Sequence, residues 1–225
     1  LSIRHGGAEI GEGNEINGLT LGGVGSGTKI NHVEVVANVD DGIEFFGGTV
    51  NATNLLVWGQ GDDAIDIDQA YSGTIDGAMV ILTDASDHGF EIDGPEGSAA
   101  GSFTLKNVTV LGATKACSAL GVNGEMADFR KAATGDLSNI LFKDFSGGKD
   151  VELDASADAA SYTAGTLTFA NIDIMHPVND GVVCSDVETL NQIFDDKSDE
   201  STFEADASTF AEIVTEQQSG NGVDS

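Results

Sequence analysis

Basic residues are scarce in this chain. Nine Lys and Arg stand against 38 Asp and Glu, a formal net charge of -29 over 225 residues. Phosphate binding needs a basic stripe, so nucleic acid is not an expected partner. An anionic membrane surface is disfavoured for the same reason. No apolar run approaches the roughly 18 residues of a membrane-spanning helix. Proline occurs twice, tryptophan once and tyrosine twice, so Phe carries most of the aromatic content. Cysteine also occurs twice. Cys117 and Cys184 either form one disulfide or stay as buried thiols; Cys184 falls at an apolar repeat position. No secretory leader is evident. Leu1-Ser2-Ile3 reads as the tail of a strand whose start is missing, so the expectation is a piece of a longer chain. Strong acidity suits salty water and cation binding, and an extracellular or cell-surface setting is expected.

What the chain has is a repeat. The pattern apolar-x-polar-apolar-x-apolar appears as Ile30-Asn31-His32-Val33-Glu34-Val35, Ala52-Thr53-Asn54-Leu55-Leu56-Val57 and Ile75-Asp76-Gly77-Ala78-Met79-Val80. It returns as Leu105-Lys106-Asn107-Val108-Thr109-Val110, Leu137-Ser138-Asn139-Ile140-Leu141-Phe142 and Phe169-Ala170-Asn171-Ile172-Asp173-Ile174. Self-similarity at a period of roughly 20–30 residues is the mark of a solenoid. Asn tolerates a left-handed bend at the middle position, and stacked amides can bond from coil to coil.

A shorter motif follows each of these about ten residues on. It reads Asp41-Gly42-Ile43-Glu44-Phe45, Asp63-Ala64-Ile65-Asp66-Ile67 and His88-Gly89-Phe90-Glu91-Ile92. Weaker copies are Asn17-Gly18-Leu19-Thr20-Leu21, Ala127-Asp128-Phe129-Arg130-Lys131, Lys149-Asp150-Val151-Glu152-Leu153 and Asp180-Gly181-Val182-Val183-Cys184. Alternation makes each a short strand with one buried face. The fold class expected is all-β: a right-handed parallel β-helix over residues 1–184, with little room for helices inside it. Ile43, Ile65, Phe90, Phe129 and Val151 are expected to share one inward position.

Residues 185–225 change character. Ser185-Asp186-Val187-Glu188 has the form of a capping box, with Val187, Leu190 and Phe194 at helical spacing. A second short helix is expected from Asp206, with Phe210, Ile213 and Val214 on one face. Asp195–Glu200 reads as a polar loop and Gln217–Gly222 as a linker. A small C-terminal helical cap would cover the open end of the solenoid.

The chemistry gathers on the short motif. Glu44, Asp66 and Glu91 align in one outward column, and Asp41, Asp63 and His88 in its neighbour. Asp40, Asp62 and Asp87 come just before, Asp68 and Asp93 just after. Parallel coils stack equivalent residues about 4.8 Å apart. The like charges need relief from solvent, a raised pKa, a paired cation or a metal. Calcium takes six to eight oxygens and suits this all-oxygen set. Asp41, Glu44, Asp63, Asp66, Asp68 and Glu91 are the candidate ligands. Trp58 and Tyr71 are candidate platforms for a sugar ring, with a place in the core the expectation for Trp58.

The segments Asn38-Val39-Asp40-Asp41-Gly42, Gly61-Asp62-Asp63, Asp87-His88-Gly89 and Asp128-Phe129-Arg130 together resemble the active-site strip of polygalacturonases and related β-helical glycoside hydrolases. The resemblance implies Asp62 as general acid, Asp41 and Asp63 as activators of water, His88 as support for the acid and Arg130 facing substrate. Arg130 also has a structural reading, as the neutralising neighbour of Glu91 in its column. A broader resemblance rests on Asn14–Thr28, Asp40–Asn51 and Asp62–Asp68. It is to secreted or lipid-anchored bacterial surface β-helix proteins, and it implies a cell-envelope or extracellular location and no reaction. The combined expectation is a calcium-associated β-helix acting as a surface, adhesive or glycan-binding module. A glycoside hydrolase or polysaccharide lyase is the rival reading. End-to-end self-association into a fibre is the third.

Overall fold

The computed structural model describes residues 1–8, 10–11, 16–112, 125–145 and 151–175, and the backbone of 178–179, 182–183, 194–196 and 214–217. The chain winds as a parallel β-helix of alternating long and short strands. In order they are β1 (Ser2–Arg4), β2 (Leu19–Thr20), β3 (Lys29–Val36), β4 (Ile43–Phe46), β5 (Asn51–Trp58), β6 (Ile65–Asp68) and β7 (Thr74–Ile81). Then come β8 (Phe90–Asp93), β9 (Phe103–Leu111), β10 (Ala127–Arg130), β11 (Gly135–Lys143), β12 (Val151–Leu153) and β13 (Leu167–Met175). The odd-numbered strands form one parallel sheet and the even-numbered strands a second. No helix among the described residues is long and apolar enough to cross a membrane.

The core lies between the two sheets. Inward residues of the short strands fall into two columns. Ile43, Ile65, Phe90, Ala127 and Val151 stack in one; Phe45, Ile67, Ile92, Phe129 and Leu153 stack in the other. All are at most 2 % exposed. Phe129 therefore does not share the column of Ile43, as the sequence alignment expected. It sits one inward position further along, between Ile92 and Leu153. A slip of two residues keeps every side chain on its own face, so alternation alone cannot separate the two registers. Ala127 leaves room beneath Phe90, and the ring of Phe142 comes within 5.7 Å of Phe90 from the opposite sheet.

The long strands bend at the position the repeat marked. His32, Asn54, Asn107, Asn139 and Asn171 all have φ between 54° and 58°, in the left-handed region. Asn54 donates to Asn31, Asn139 to Asn107 and Asn171 to Asn139, each at 3.0 Å. The column lacks an amide at His32, which Asn54 bypasses by bonding to Asn31, and again at Gly77, where φ is 83°. Asn107 there donates instead to Asp76, at 2.7 Å.

Three expectations are corrected. A helix, α1 (Ser156–Thr163), does occur within the solenoid. Its Ala-rich sequence favours helix, and the fully buried Asp158 accepts a hydrogen bond from the Ala133 N–H at 3.2 Å. Val182–Val183 is not a rung of the short-strand sheet: as β15 it pairs antiparallel with β14 (Val178–Asn179). The parts of the expected C-terminal cap that are described are strands. β16 (Phe194–Asp196) extends the short-strand sheet beyond β12, and β17 (Val214–Gln217) extends the long-strand sheet beyond β13. The capping box and the apolar spacing of three to four residues are local helical signals, and an open sheet edge offers those segments a pairing partner that outweighs them. The rest of the expected cap, the division at residue 184 and the Cys117–Cys184 pair lie outside the described residues.

The aromatic platforms separate. Tyr71 is buried, its ring 4.8 Å from Phe45 and its hydroxyl donating to the Val50 carbonyl at 2.7 Å. It is a core residue, not a platform. Trp58 is 49 % exposed and not in the core, because its outward position on β5 has no layer packed over it.

Replacing Asn139 tests the bend and the ladder separately. Asn139→Ala loses both amide bonds and forces a Cβ residue without a polar side chain into the left-handed region, at a cost of about 1–2 kcal/mol for the backbone alone. Asn139→Gly loses the same bonds but relieves the backbone. Urea denaturation is expected to rank the variants wild type, Gly, Ala in falling stability; Ala equal to or above Gly contradicts the assignment.

Candidate functional site

The short strands alternate an inward apolar residue with an outward acid. Glu44, Asp66, Glu91, Asp128 and Glu152 stand opposite one another on successive coils. Asp128 and Glu152 belong to this column although the sequence reading stopped at Glu91. The recurring triplets Ala-Asp-Phe and Val-Glu-Leu carried the signal, and matching Phe129 to Phe90 hid it. Adjacent carboxylates at this spacing repel by roughly 3 kcal/mol at an effective dielectric near 20. Solvent does not supply much relief: Glu44, Asp66, Asp128 and Glu152 are each buried, at 4–7 % exposed. The alternation was legible in the sequence. The burial was not, because it depends on the columns on either side.

The column preceding it is a hydrogen-bonded chain. Asp41 accepts from the Asp63 backbone N–H at 3.0 Å. Asp63 Oδ1 accepts from the His88 backbone N–H at 2.8 Å and lies 2.8 Å from His88 Nδ1. Asp87 Oδ2 is 3.7 Å from the same ring nitrogen. Asp41 and Asp63 are buried, while Asp62 is exposed at the mouth of the bend.

The column that follows carries the cations. Arg130 stands opposite Asp93, not Glu91, so its expected place in the column is corrected. Its side chain reaches both: the guanidinium lies 2.6 Å from Asp93 and 2.6 Å from Glu91. Lys131 is 2.6 Å from Asp93 and 2.7 Å from Glu96. Arg130 thus neutralises Glu91, and both cations are held by carboxylates of the protein itself.

Among the described residues, four groups of candidate ligand atoms come within 4.8 Å of one another: Asp41, Glu44 and Asp66; Asp40, Asp41 and Asp62; Asp62, Asp63 and Asp87; and Asp63, His88 and Glu91. The candidates Asp41, Glu44, Asp62, Asp63, Asp66, His88 and Glu91 are brought together. Asp68 and Arg130 stand outside these groups. Asp40 and Asp87 join them.

Burial dominates the electrostatics. It pushes Asp66 up to about 10, with the charges of Asp41, Asp68, Glu91 and Glu44 acting in the same direction. Burial and Asp63 push Asp41 to about 9. Burial, then Asp68 and Asp40, push Glu44 to about 7. Asp62, exposed along one side but partly desolvated by the coils around it, rises to about 6, with the charges of Asp63, Asp87 and Asp40 acting in the same direction. Burial opposes charge on His88, but its bond to Asp63 and the charges of Asp63, Asp87 and Asp128 outweigh that and raise it to about 9. One oxygen of Asp66, Oδ1, is buried and has no hydrogen-bond partner. A buried carboxylate that keeps one oxygen unpartnered and lies beside two other buried carboxyls fits a hard cation with oxygen ligands.

Two parallel sheets, the longer strands bent at left-handed asparagines and the shorter strands carrying an acidic strip, narrow the comparison to one kind of solenoid. The pectate-lyase-like beta-helix domain matches residues 1–225, the whole chain. The chain belongs to that family. No curated protein and no solved structure matches it. Membership gives this pectate-lyase-like β-helix its fold; it does not choose between binding and catalysis.

The raised carboxyls give a pH dependence of definite sign. Asp41, Glu44 and Asp66 hold protons in the folded state to about pH 9, 7 and 10, against ordinary values of 3.8, 4.5 and 3.8. Between the two sets of values the folded state binds more protons than the unfolded state, so stability falls as pH rises. In chelator, urea midpoints are expected to drop steadily from pH 5 to 9, and Asp66→Asn is expected to flatten the slope. A midpoint that rises over that range contradicts the burial of these acids.

Proposed function

We propose that this chain is a secreted β-helical module of the cell surface that binds calcium on its acidic strip and engages glycan. The observation that carries the calcium reading is the Asp41–Glu44–Asp66 group, with its orphaned Asp66 Oδ1. Three buried carboxyls within 4.8 Å supply hard oxygen donors, and no side-chain cation pairs with them among the described residues. Calcium would replace the protons that burial otherwise retains. The pectate-lyase-like fold supports the glycan reading, and so does the net charge, which disfavours nucleic acid and anionic membranes.

Calcium bound only by the folded state raises stability by mass action, about 2.7 kcal/mol at a hundredfold excess over Kd. Melting at pH 7 and fixed ionic strength is expected to rise by about 5–10 °C between chelator and saturating calcium. Asp66→Asn is expected to abolish the rise. Identical melting in calcium and chelator rejects the reading.

The second reading is a polysaccharide-degrading enzyme. It is favoured by the exposed Asp62, whose pKa of about 6 suits a general acid, beside Asp63 and His88. Two features weigh against it. The nearest carboxylate oxygens lie within 4.8 Å of one another, which leaves little room for the water an inverting pair must hold. Arg130 and Lys131 are committed to Glu91, Asp93 and Glu96, which leaves acidic sugars without an uncommitted Lys or Arg at this end of the strip among the described residues. Incubation with neutral and acidic glycans, with and without calcium, is expected to release no reducing ends and no unsaturated product. Turnover that disappears in Asp62→Asn establishes the enzyme instead.

A further inference from the structure

The outer face of the long-strand sheet differs in chemistry from the acidic strip. Its outward positions on β5, β7 and the end of β9 carry Leu56, Trp58, Met79, Ile81 and Leu111, which stand beside one another across the coils. Trp58 is 49 % and Met79 41 % exposed. A contiguous apolar surface of this kind on a chain of net charge -29 marks a place for a partner.

The break in the asparagine ladder at Gly77 lies on the same face. Because residue 77 is Gly, the coil above Asn54 has no amide to donate to it. A recess of about 410 Å³ opens there, lined by Asn54, Leu55, Gly77, Met79, Asn107 and Thr109. That volume is in the range of small-ligand sites. Asn54 Nδ2 is used by Asn31, while no described residue donates to Asn54 Oδ1 through its side chain. The charged residues beside the recess are already paired: Lys106 is 3.2 Å from Asp76, which also accepts from Asn107. The recess therefore offers a hydrogen-bond acceptor and apolar walls, and no free charge.

These features select the occupant. A polyanion is repelled by the net charge, and a cationic chain finds no free carboxylate here. A second copy would bring another charge of -29 against this one. An uncharged chain with flat apolar faces and hydroxyl donors meets neither obstacle. From Asn54 to Trp58 the strand spans about 13 Å, longer than a single sugar ring. We propose that a neutral polysaccharide docks on the outer face of β5 and β7, one ring stacked on Trp58 and a hydroxyl donating to Asn54 Oδ1 in the gap left by Gly77. The inference rests on the glycan-binding reading and moves the glycan from the acidic strip to the opposite sheet.

Trp58 is the chain's single tryptophan, so its fluorescence reports on this face alone. The experiment titrates the full chain with cellohexaose, mannohexaose and laminarihexaose, with polygalacturonate as the acidic control, by fluorescence and calorimetry. At least one neutral oligosaccharide is expected to give a saturable blue shift, in calcium and in chelator alike. Trp58→Ala, read by calorimetry, is expected to weaken binding about tenfold, as loss of one aromatic stack implies. Gly77→Asn fills the recess. A Cβ at position 77 would lie 3.6 Å from Asn54 Oδ1, an ordinary contact, and Asn takes the left-handed region at the neighbouring coils, at φ of 54° to 58° against 83° for Gly77. That variant is expected to lose binding while its melting temperature holds or rises. Heat of binding that neither substitution changes, with no shift in Trp58 emission, places the glycan elsewhere and overturns this inference while sparing the glycan reading. No heat and no shift with any oligosaccharide overturns both. A blue shift that follows protein concentration, with dimers in sedimentation, assigns the face to a second copy and also overturns the inference.

Discussion

Parallel, in-register stacking is the constraint on which this molecule depends. Each residue of a coil faces its counterpart on the next, about 4.8 Å away. Every position must therefore tolerate its own repetition. Apolar residues do so by burying one another, as the columns from Ile43 and Phe45 show. Asparagine does so by passing a hydrogen bond from amide to amide while its backbone takes the left-handed bend. Carboxylates do not, because stacking multiplies their repulsion while burial removes the water that screens it.

The acidic column is therefore a choice the fold does not require. Thr20 occupies the position opposite Glu44, so an uncharged residue is compatible with it. The compensation along the strip is uneven. At the β8–β10 end, Arg130, Lys131 and His88 offset Glu91, Asp93 and Asp63. At the β4–β6 end, Asp41, Glu44 and Asp66 have no such partner among the described residues. The first end has the character of a structural ion network. The second keeps an electrostatic deficit that a proton or a multivalent cation can fill. That contrast is the physical reason to place the cation there and not along the whole strip.

Much of this was legible in the sequence, and the failures have definite causes. The period gave the two-strand coil, and the middle position gave the bend, because only a few residues accept positive φ. The register of β10 failed because a two-residue slip leaves alternation intact. It took Phe129, Asp128 and Arg130 with it. The helix at Ser156–Thr163 was missed because a run of small residues lacks an apolar stripe, and its anchor, Asp158, looks like any surface acid until Ala133 is seen to donate to it. Trp58 was expected inside because large aromatics usually are. Its position in the alternation, one after Val57, already pointed outward. The burial of the acidic strip could not be read at all, since it belongs to three adjacent columns and not to any one motif.

The two faces are not independent. Trp58 and the pair Asp62–Asp63 belong to one coil, joined by the bend Gly59-Gln60-Gly61. That bend is held to the coils on both sides: the Gly59 N–H donates to Ile81 at 2.9 Å and the Gly61 N–H to Asn38 at 2.9 Å. Gln60 is fully buried, and its carbonyl accepts from the Ser86 hydroxyl at 2.7 Å. A solenoid distributes its stability through nearest-neighbour coils. A cation that fixes Asp41 against Asp66 ties together the coils of β4 and β6. A glycan lying across Trp58 and the Gly77 gap ties together the coils of β5 and β7. The coil of β5 and β6 is common to both, so each proposed ligand would order part of what the other needs. By linkage, any gain in affinity that one confers on the other is returned in equal measure.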